Sequence, residues 1–228
     1  MPEQAPNSPT SNGPKRLAVS VPTRTWQADA LAAQAAREQR QALAVTQRLW
    51  AASGVGKRHA ERATDTEALR RHEQWAAKYD NLLTVLEAGE SVVLLGDRGG
   101  GKTQMAVCAM WHWCLHYGGG LYRLAASLHD EWLDAQGENK RGATTAKYAK
   151  ARLLIVDAIQ GRYETDAAAR LLNRVFDLRY ANKLPTVLVG NCPADTIVQV
   201  LGPDIFDRIR EGGGQIVCDW ESFRGKAQ

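Results

Sequence analysis

The chain has 228 residues, 44% of them hydrophobic, and a formal net charge of +4. That length supports one well-buried core domain plus a smaller appendage, and the mild charge permits an anionic partner without requiring one. No apolar run approaches the roughly 20 residues of a membrane span, and Met1-Pro2-Glu3-Gln4 lacks the basic and apolar regions of a secretory leader, so a cytoplasmic protein with no membrane partner is expected.

Residues 1–25 are rich in Pro, Ser, Asn and Gln with few large apolar groups, which predicts a disordered arm. Residues 26–52 are dominated by Ala, Gln, Arg and Glu, which are strong helix formers. Leu31, Ala35, Leu43 and Trp50 punctuate this helix sparsely. So thin an apolar stripe suits docking on another molecule or packing on the chain's own core, and the sequence leaves both open. Ser53-Gly54-Val55-Gly56 breaks the helix, 57–66 reads as a polar linker, and 67–88 as a second helical stretch.

From Gly89 onward strands alternate with helices, the pattern of an α/β fold with a largely parallel sheet and flanking helices. Ser91-Val92-Val93-Leu94-Leu95 is a short buried strand. It runs into Gly96-Asp97-Arg98-Gly99-Gly100-Gly101-Lys102-Thr103, a complete Walker A phosphate loop. Residues 103–116 then form a helix with Met105, Val107, Ala109, Met110 and Trp113 as apolar positions. Strand, glycine loop and helix start are the parts that cradle a nucleotide's phosphates. Lys102 would reach the β- and γ-phosphates of ATP, and the Thr103 hydroxyl would hold Mg²⁺. A plain glycine turn between strand and helix would explain neither the Lys-Thr pair nor its flanks.

Leu121-Tyr122-Arg123 is a second short strand. The segment 129–152 carries Lys140, Arg141, Lys147, Lys150 and Arg152 with Trp132 and Tyr148 nearby. Such cations track phosphates and such aromatics stack on bases, although a solvated helical face has the same composition. Arg152-Leu153-Leu154-Ile155-Val156 is a buried strand that delivers Asp157, the Walker B arrangement, in which a carboxylate enters the Mg²⁺ shell. Hydrolytic enzymes of this type place a Glu next, to polarise the attacking water, and here Ala158 stands instead. Either Ala158 is natural and the chain is a nucleotide-bound switch, or it is a deliberate Glu-to-Ala change that traps ATP. The intact remainder of the site favours the second. Glu164 is the nearest downstream acid, beyond Gly161.

Residues 167–181 form a helix with Ala168, Leu172, Val175 and Phe176 on one face. The next strand, 186–190, ends at Asn191, which could hydrogen-bond a γ-phosphate or its water, or merely start the turn at Cys192-Pro193. Pro203 suits the first turn of a helix that buries Ile205, Phe206 and Ile209 and leaves Arg208 and Arg210 on other faces. An exposed guanidinium there could reach a neighbouring subunit's γ-phosphate. The last strand, 215–219, leads to Trp220-Glu221-Ser222-Phe223-Arg224, where Arg224 could touch nucleotide in its own subunit. Cys108, Cys114, Cys192 and Cys218 form no Cys-x-x-Cys pair and read as core thiols.

Together these residues resemble the DnaC-type helicase loaders of the AAA+ superfamily, phage and prophage versions included, over about residues 49–224. Gly96 to Thr103, Leu153 to Asp157 with Ile159-Gln160, Arg179-Tyr180 to Pro185-Thr186, Asp207-Arg208 and Trp220 to Arg224 carry the likeness. The resemblance implies an AAA+ P-loop core over 67–228 and a helical helicase-binding region with linker over 26–66. It makes Asn191 sensor 1, Arg208 a finger acting in trans and Arg224 sensor 2. It implies ATP and Mg²⁺ as cofactors, with a DnaB-type replicative helicase and single-stranded DNA as partners. It also implies self-association into a ring or spiral through Arg208. Its pattern has Glu where Ala158 stands, which bears on hydrolysis and leaves nucleotide binding intact. An IstB-like transposition ATPase and a non-hydrolysing ATP-dependent scaffold are the alternatives.

Overall fold

The computed structural model describes residues 25–64, 66–135, 137–160 and 166–223. The arm expected over 1–25 lies, but for Thr25, outside the described residues, as do Glu164 and Arg224. The chain divides into two compact units, Met1–Gln41 and Ala42–Gln228.

The first unit contains most of helix α1, Thr25–Ala52. Its side chains described up to Gln41 are all exposed, Trp26 and Leu31 at 63% and 68%. The last turns of α1 belong to the second unit. There Leu49 and Trp50 pack on the core, and Trp50 meets Trp111 edge to face at 5.3 Å.

The stretch expected as a polar linker is instead helical: α2 spans Lys57–Ala63. It buries Ala63 and lies on the phosphate-loop helix, where Gln104 Nε2 donates to the His59 carbonyl at 3.2 Å. The long helix expected over 67–88 is divided into α3, Thr66–Arg70, and α4, Glu73–Glu87. The break admits Trp75, Tyr79, Leu82 and Leu86 of α4 to the core, with Trp75 stacked on Tyr79 at 5.0 Å.

The remaining elements alternate as expected. They are β1 Val92–Leu95, α5 Lys102–His116, β2 Leu121–Leu124, α6 Ala125–Asp134, α7 Glu138–Ala149, β3 Leu154–Asp157, α8 Asp166–Ala181, β4 Thr186–Val189, α9 Ile197–Leu201, α10 Pro203–Glu211 and β5 Gln215–Val217. The strands form one parallel sheet in the order β2-β3-β4-β1-β5. Alternate side chains of each strand serve opposite faces. Val92 and Leu94 join α4 and α5 in one core, whereas Val93 and Leu95 join α6, α8, α9 and α10 in the other. Because both faces are covered, the central strands β1 and β4 are buried along their whole length. The result is an α/β P-loop NTPase fold in three layers, with helices on both faces of the sheet.

One buried cation ties the two central crossovers together. Arg179 of α8 is fully buried and donates to Thr186 Oγ1 at 2.8 Å and to the carbonyls of Tyr148, Ala151 and Pro185 at 2.8, 2.6 and 2.6 Å. Burial without a carboxylate pushes its pKa down, to about 9, so it remains charged at neutral pH. The clamp pins the chain just before β3 and β4, and so helps set where those strands end.

Candidate functional site

Parallel strands deliver their carboxyl ends to one edge of the sheet, and the residues singled out from the sequence gather there. β1 ends at Leu95 and feeds the phosphate loop, β3 ends at Asp157, and β4 ends two residues before Asn191. β4 lies between β1 and β3, pairing Val189 with both Leu94 and Asp157. The Walker A and Walker B segments therefore face each other across one strand, with Asn191 emerging between them.

The loop is shaped by close backbone contacts. Gly96 has φ +128° and lies against the Cys218 carbonyl, where a Cβ would collide with main chain. A Cβ at Gly101 would sit 3.0 Å from the Phe223 ring and 3.4 Å from Trp75 Nε1. Trp220 Nε1 donates to the Gly100 carbonyl at 3.1 Å, and the Phe223 amide donates to the Gly99 carbonyl at 3.0 Å. The segment after β5 thus braces the loop from outside. Asp97 and Arg98 at its tip are exposed.

Lys102 opens α5 and is buried. Its Nζ donates to the Gly96 and Asp97 carbonyls, both at 2.7 Å. Burial lowers its pKa, opposed by the nearby Cys218, Asp157 and Asp97. An ammonium held by neutral carbonyls at the positive end of a helix is an anion site by construction. Thr103 follows in the first turn of α5.

Asp157 is also buried, and its two carboxylate oxygens accept separate bonds. Tyr122 Oη donates to Oδ2 at 2.7 Å, and the Ala158 amide donates to Oδ1 at 2.7 Å. Two donors hold the side chain in one orientation as an acceptor, the state a divalent cation requires. Burial first, and then the Asp157 charge, push the Tyr122 pKa far above its ordinary value, so the phenol keeps its proton. Tyr122 escaped the sequence reading. Its only signal was an aromatic in a strand whose register with β3 a linear pattern does not fix.

Ala158 adopts a left-handed conformation, φ +58°, unusual for a residue with a Cβ. It turns the chain sharply after Asp157, and its methyl has no group that could orient water. Asn191 is exposed, and its backbone amide donates to Gln160 Oε1 at 3.0 Å. Beside the loop, a cleft of about 680 Å³ is lined by residues including Arg71, His72, Trp75, Asp219, Trp220 and Phe223. Trp75 Nε1 is buried there and has no hydrogen-bond partner among the described residues. An orphaned donor, a cramped glycine cradle and a carbonyl-held lysine fit the phosphates and base of a nucleotide.

Arg208 lies on α10, where it forms an ion pair with Asp177 of α8 and places its guanidinium 5.4 Å from the Tyr180 ring centre. It is about one-third exposed and committed within its own chain. Arg210 is paired loosely with Asp207 at 3.2 Å.

The basic segment divides between both ends of α7. Lys140 and Arg141 lie in its first turn, with Arg141 over the Trp132 ring at 4.7 Å. Tyr148 does not stack outward as expected. It is fully buried and donates to Glu131, which also receives Lys147 at 2.7 Å and Arg123 at 2.8 Å. Burial raises the Glu131 pKa, but the bonds from Lys147, Tyr148 and Arg123 outweigh it and hold the carboxyl at about 2. Burial keeps the thiols of Cys108, Cys114 and Cys218 protonated, each at about 11, as expected of core cysteines. Cys192 is half-buried.

Comparison with known proteins gives this geometry a family. The IstB-like ATP binding protein family matches residues 73–228, from the first turn of α4 onward. This chain belongs to that family. Over 75 residues it is 28% identical to the replicative helicase loader DnaC of Escherichia coli (strain K12), covering 32% of this chain and 31% of that protein. The chain thus spans about a third of the length of the curated relatives it matches. Its fold is similar to that of a replication initiator DnaA bound to AMPPCP and single-stranded DNA, with TM-score 0.54 and 15% identity over 64% of this chain and 44% of that one. A crystal structure of DnaI aligns with TM-score 0.50 and 16% identity over 62% of this chain and 80% of that one. At such identities the likeness is one of fold. No helix among the described residues is long and apolar enough to cross a membrane.

Proposed function

We propose that this chain is an ATP-dependent helicase loader that binds a DnaB-type replicative helicase and helps place it on single-stranded DNA at replication initiation. The observation that carries the reading is the preset pair across β4, a carbonyl-held Lys102 facing a doubly anchored Asp157, in a chain with a stretch 28% identical to a named helicase loader. ATP with Mg²⁺ would supply a cleavable phosphoanhydride and the energy of its occupancy. Lys102 and the loop from Gly96 to Gly101 would neutralise phosphate charge. Thr103 and Asp157 would hold the metal. The cleft beside Trp75 would take the base. Asn191 would orient a water or phosphate oxygen, and Arg224 would report occupancy within the subunit. Arg208 would leave Asp177 to complete the site of an adjoining copy, building a ring or spiral. Residues 26–52 would grip the helicase, a role suited to the exposed Trp26 and Leu31. Lys140, Arg141 and Trp132 would meet single-stranded DNA.

Ala158 favours a second reading, a scaffold that binds nucleotide and partner without turning over, since the position that normally orients water carries a methyl. An IstB-like transposition ATPase shares the core, and its partner would be a transposase. Pull-down of the host's replicative helicase by the full chain, with and without ATP, tests the proposal. ATP-dependent capture is expected. Failure to capture the helicase under either condition, with ATP binding intact, would refute the loader reading.

A further inference from the structure

A second basic pocket lies at the opposite edge of the sheet from the phosphate loop. About 250 Å³ in volume, it is lined by Leu49 and Ala52 of α1, the turn Gly118-Gly119-Gly120, Leu121, and Lys147, Lys150, Ala151 and Arg152 after and along α7. Leu121 and Leu154 open β2 and β3, so the pocket lies by the strands' amino ends. A four-residue strand spans about 13 Å, which separates this place from Asp157 and the nucleotide edge.

Its electrostatics are one-sided. No acidic residue lines the pocket. Lys147 is paired with Glu131, and among the described residues no carboxylate pairs with Lys150 or Arg152. Arg152 is preset rather than free. One guanidinium nitrogen donates to the Tyr117 carbonyl at 3.0 Å, and the side chain lies flat on Gly118, where a Cβ would meet its Cδ, Nε and Cζ at 3.3, 3.3 and 3.4 Å. Gly118 has φ +83°, so both conformation and space select glycine. A guanidinium held by a carbonyl keeps its full charge and its remaining donors, the arrangement that suits an oxyanion.

The geometry points to a phosphate-binding pocket formed by Lys150, Arg152 and the Gly118–Gly120 turn, separate from the ATP site, which takes a backbone phosphate of single-stranded nucleic acid or a free phosphate. The basic segment is then two contacts at opposite ends of α7. Lys140 and Arg141 lie in its first turn, and Lys150 and Arg152 just past its last. A strand touching both would run along the helix.

The nucleic-acid arm of the test rests on the single-strand reading above, and the free-phosphate arm does not, so the two fail separately. Binding of fluorescein-labelled oligothymidylate to the nucleotide-free full chain is followed by anisotropy across a salt series. Replacing two phosphate-contacting cations should lower the salt slope by about 1.4, and replacing one by about 0.7. Lys150→Gln with Arg152→Gln should show the first, and the exposed Lys150→Gln alone the second, which guards against a folding defect at Arg152. In a Lys102→Ala background, which removes the loop's own anion site, inorganic pyrophosphate should raise Tm for the parent and not for the Lys150/Arg152 double variant. A pyrophosphate response with an unchanged oligonucleotide slope would assign the pocket to free phosphate. An unchanged slope together with an equal pyrophosphate response in parent and variant would overturn the proposal.

Discussion

Replacing Tyr122 by Phe removes a single oxygen from the interior of the site. The ring stays, so packing against the core is conserved, and Asp157 keeps its bond from the Ala158 amide. The lost bond is charge-assisted and buried on both sides, Tyr122 at 8% and Asp157 at 7% exposure. Such a bond contributes about 2 kcal/mol to folding, and that is the stability loss expected in urea denaturation. At the site, Asp157 loses the partner that fixes its second oxygen. Removing an outer-sphere partner of a metal ligand costs roughly tenfold or more in metal affinity. Mg²⁺-dependent ATP affinity should therefore fall about tenfold by calorimetry. ATP affinity in EDTA should hold, because Lys102 and the glycine loop are untouched. An equal loss with and without Mg²⁺ would refute the assignment of Asp157 as the metal-facing carboxylate, and no loss in either would show that the Tyr122 bond does not position it.

Four further outcomes follow from the same geometry. Ala158→Glu should raise ATP turnover by about two to four orders of magnitude in a steady-state phosphate-release assay, and no gain would favour the scaffold reading. Arg179→Met removes four hydrogen bonds at once, although the Pro185 carbonyl keeps the Leu154 amide as a donor, and should destabilise the fold by about 4 kcal/mol in urea, while a loss below about 1 kcal/mol would show that the clamp is dispensable. Because the folded Glu131 pKa is about 2 against an unfolded value of 4.5, its contribution is complete above pH 4.5 and fades as pH falls towards 2. Glu131→Gln should flatten that part of the urea-midpoint profile. Asp177→Asn should release Arg208 and tighten ATP-dependent self-association about twofold by sedimentation, since a partly exposed ion pair is weak, and unchanged association would leave the Asp177 pair no part in holding Arg208 back.

The parts of the fold legible in the sequence were those with a local cause. The strand before the phosphate loop, the loop itself, the Walker B strand and Pro203 at the start of α10 each carry their own pattern and were placed within a residue or two. The parts that were missed have tertiary causes. Lys57–Ala63 looks like a linker because it has little apolar content, yet one buried Ala63 and the Gln104 bond to His59 suffice once α5 provides a surface. The break between α3 and α4 carries no proline or glycine, and is set by where Trp75 must enter the core. Tyr148 was read as a stacking aromatic because its neighbours are basic. Its hydroxyl instead goes to Glu131, a partner 17 residues away that only the α6–α7 hairpin brings near. Tyr122 and Trp75 were invisible as site residues for the same reason, since register and layer packing place them.

The two cations of the candidate site differ in readiness, and that difference divides its tasks. Lys102 and Asp157 are set by bonds from their own loop, from β2 and from the adjoining amide, before any ligand arrives. Nucleotide capture is therefore within the means of one chain, and its ordering entropy is already lost on folding. Arg208 is in the opposite state. Its guanidinium is engaged by Asp177 and Tyr180, so a role in a neighbour's site requires that this engagement be exchanged for a better anion. A γ-phosphate with more charge than one carboxylate is such an anion, and a site without it is not. Association through Arg208 should accordingly depend on the triphosphate, and the diphosphate should not support it. With a methyl at position 158, the triphosphate state, once assembled, would persist.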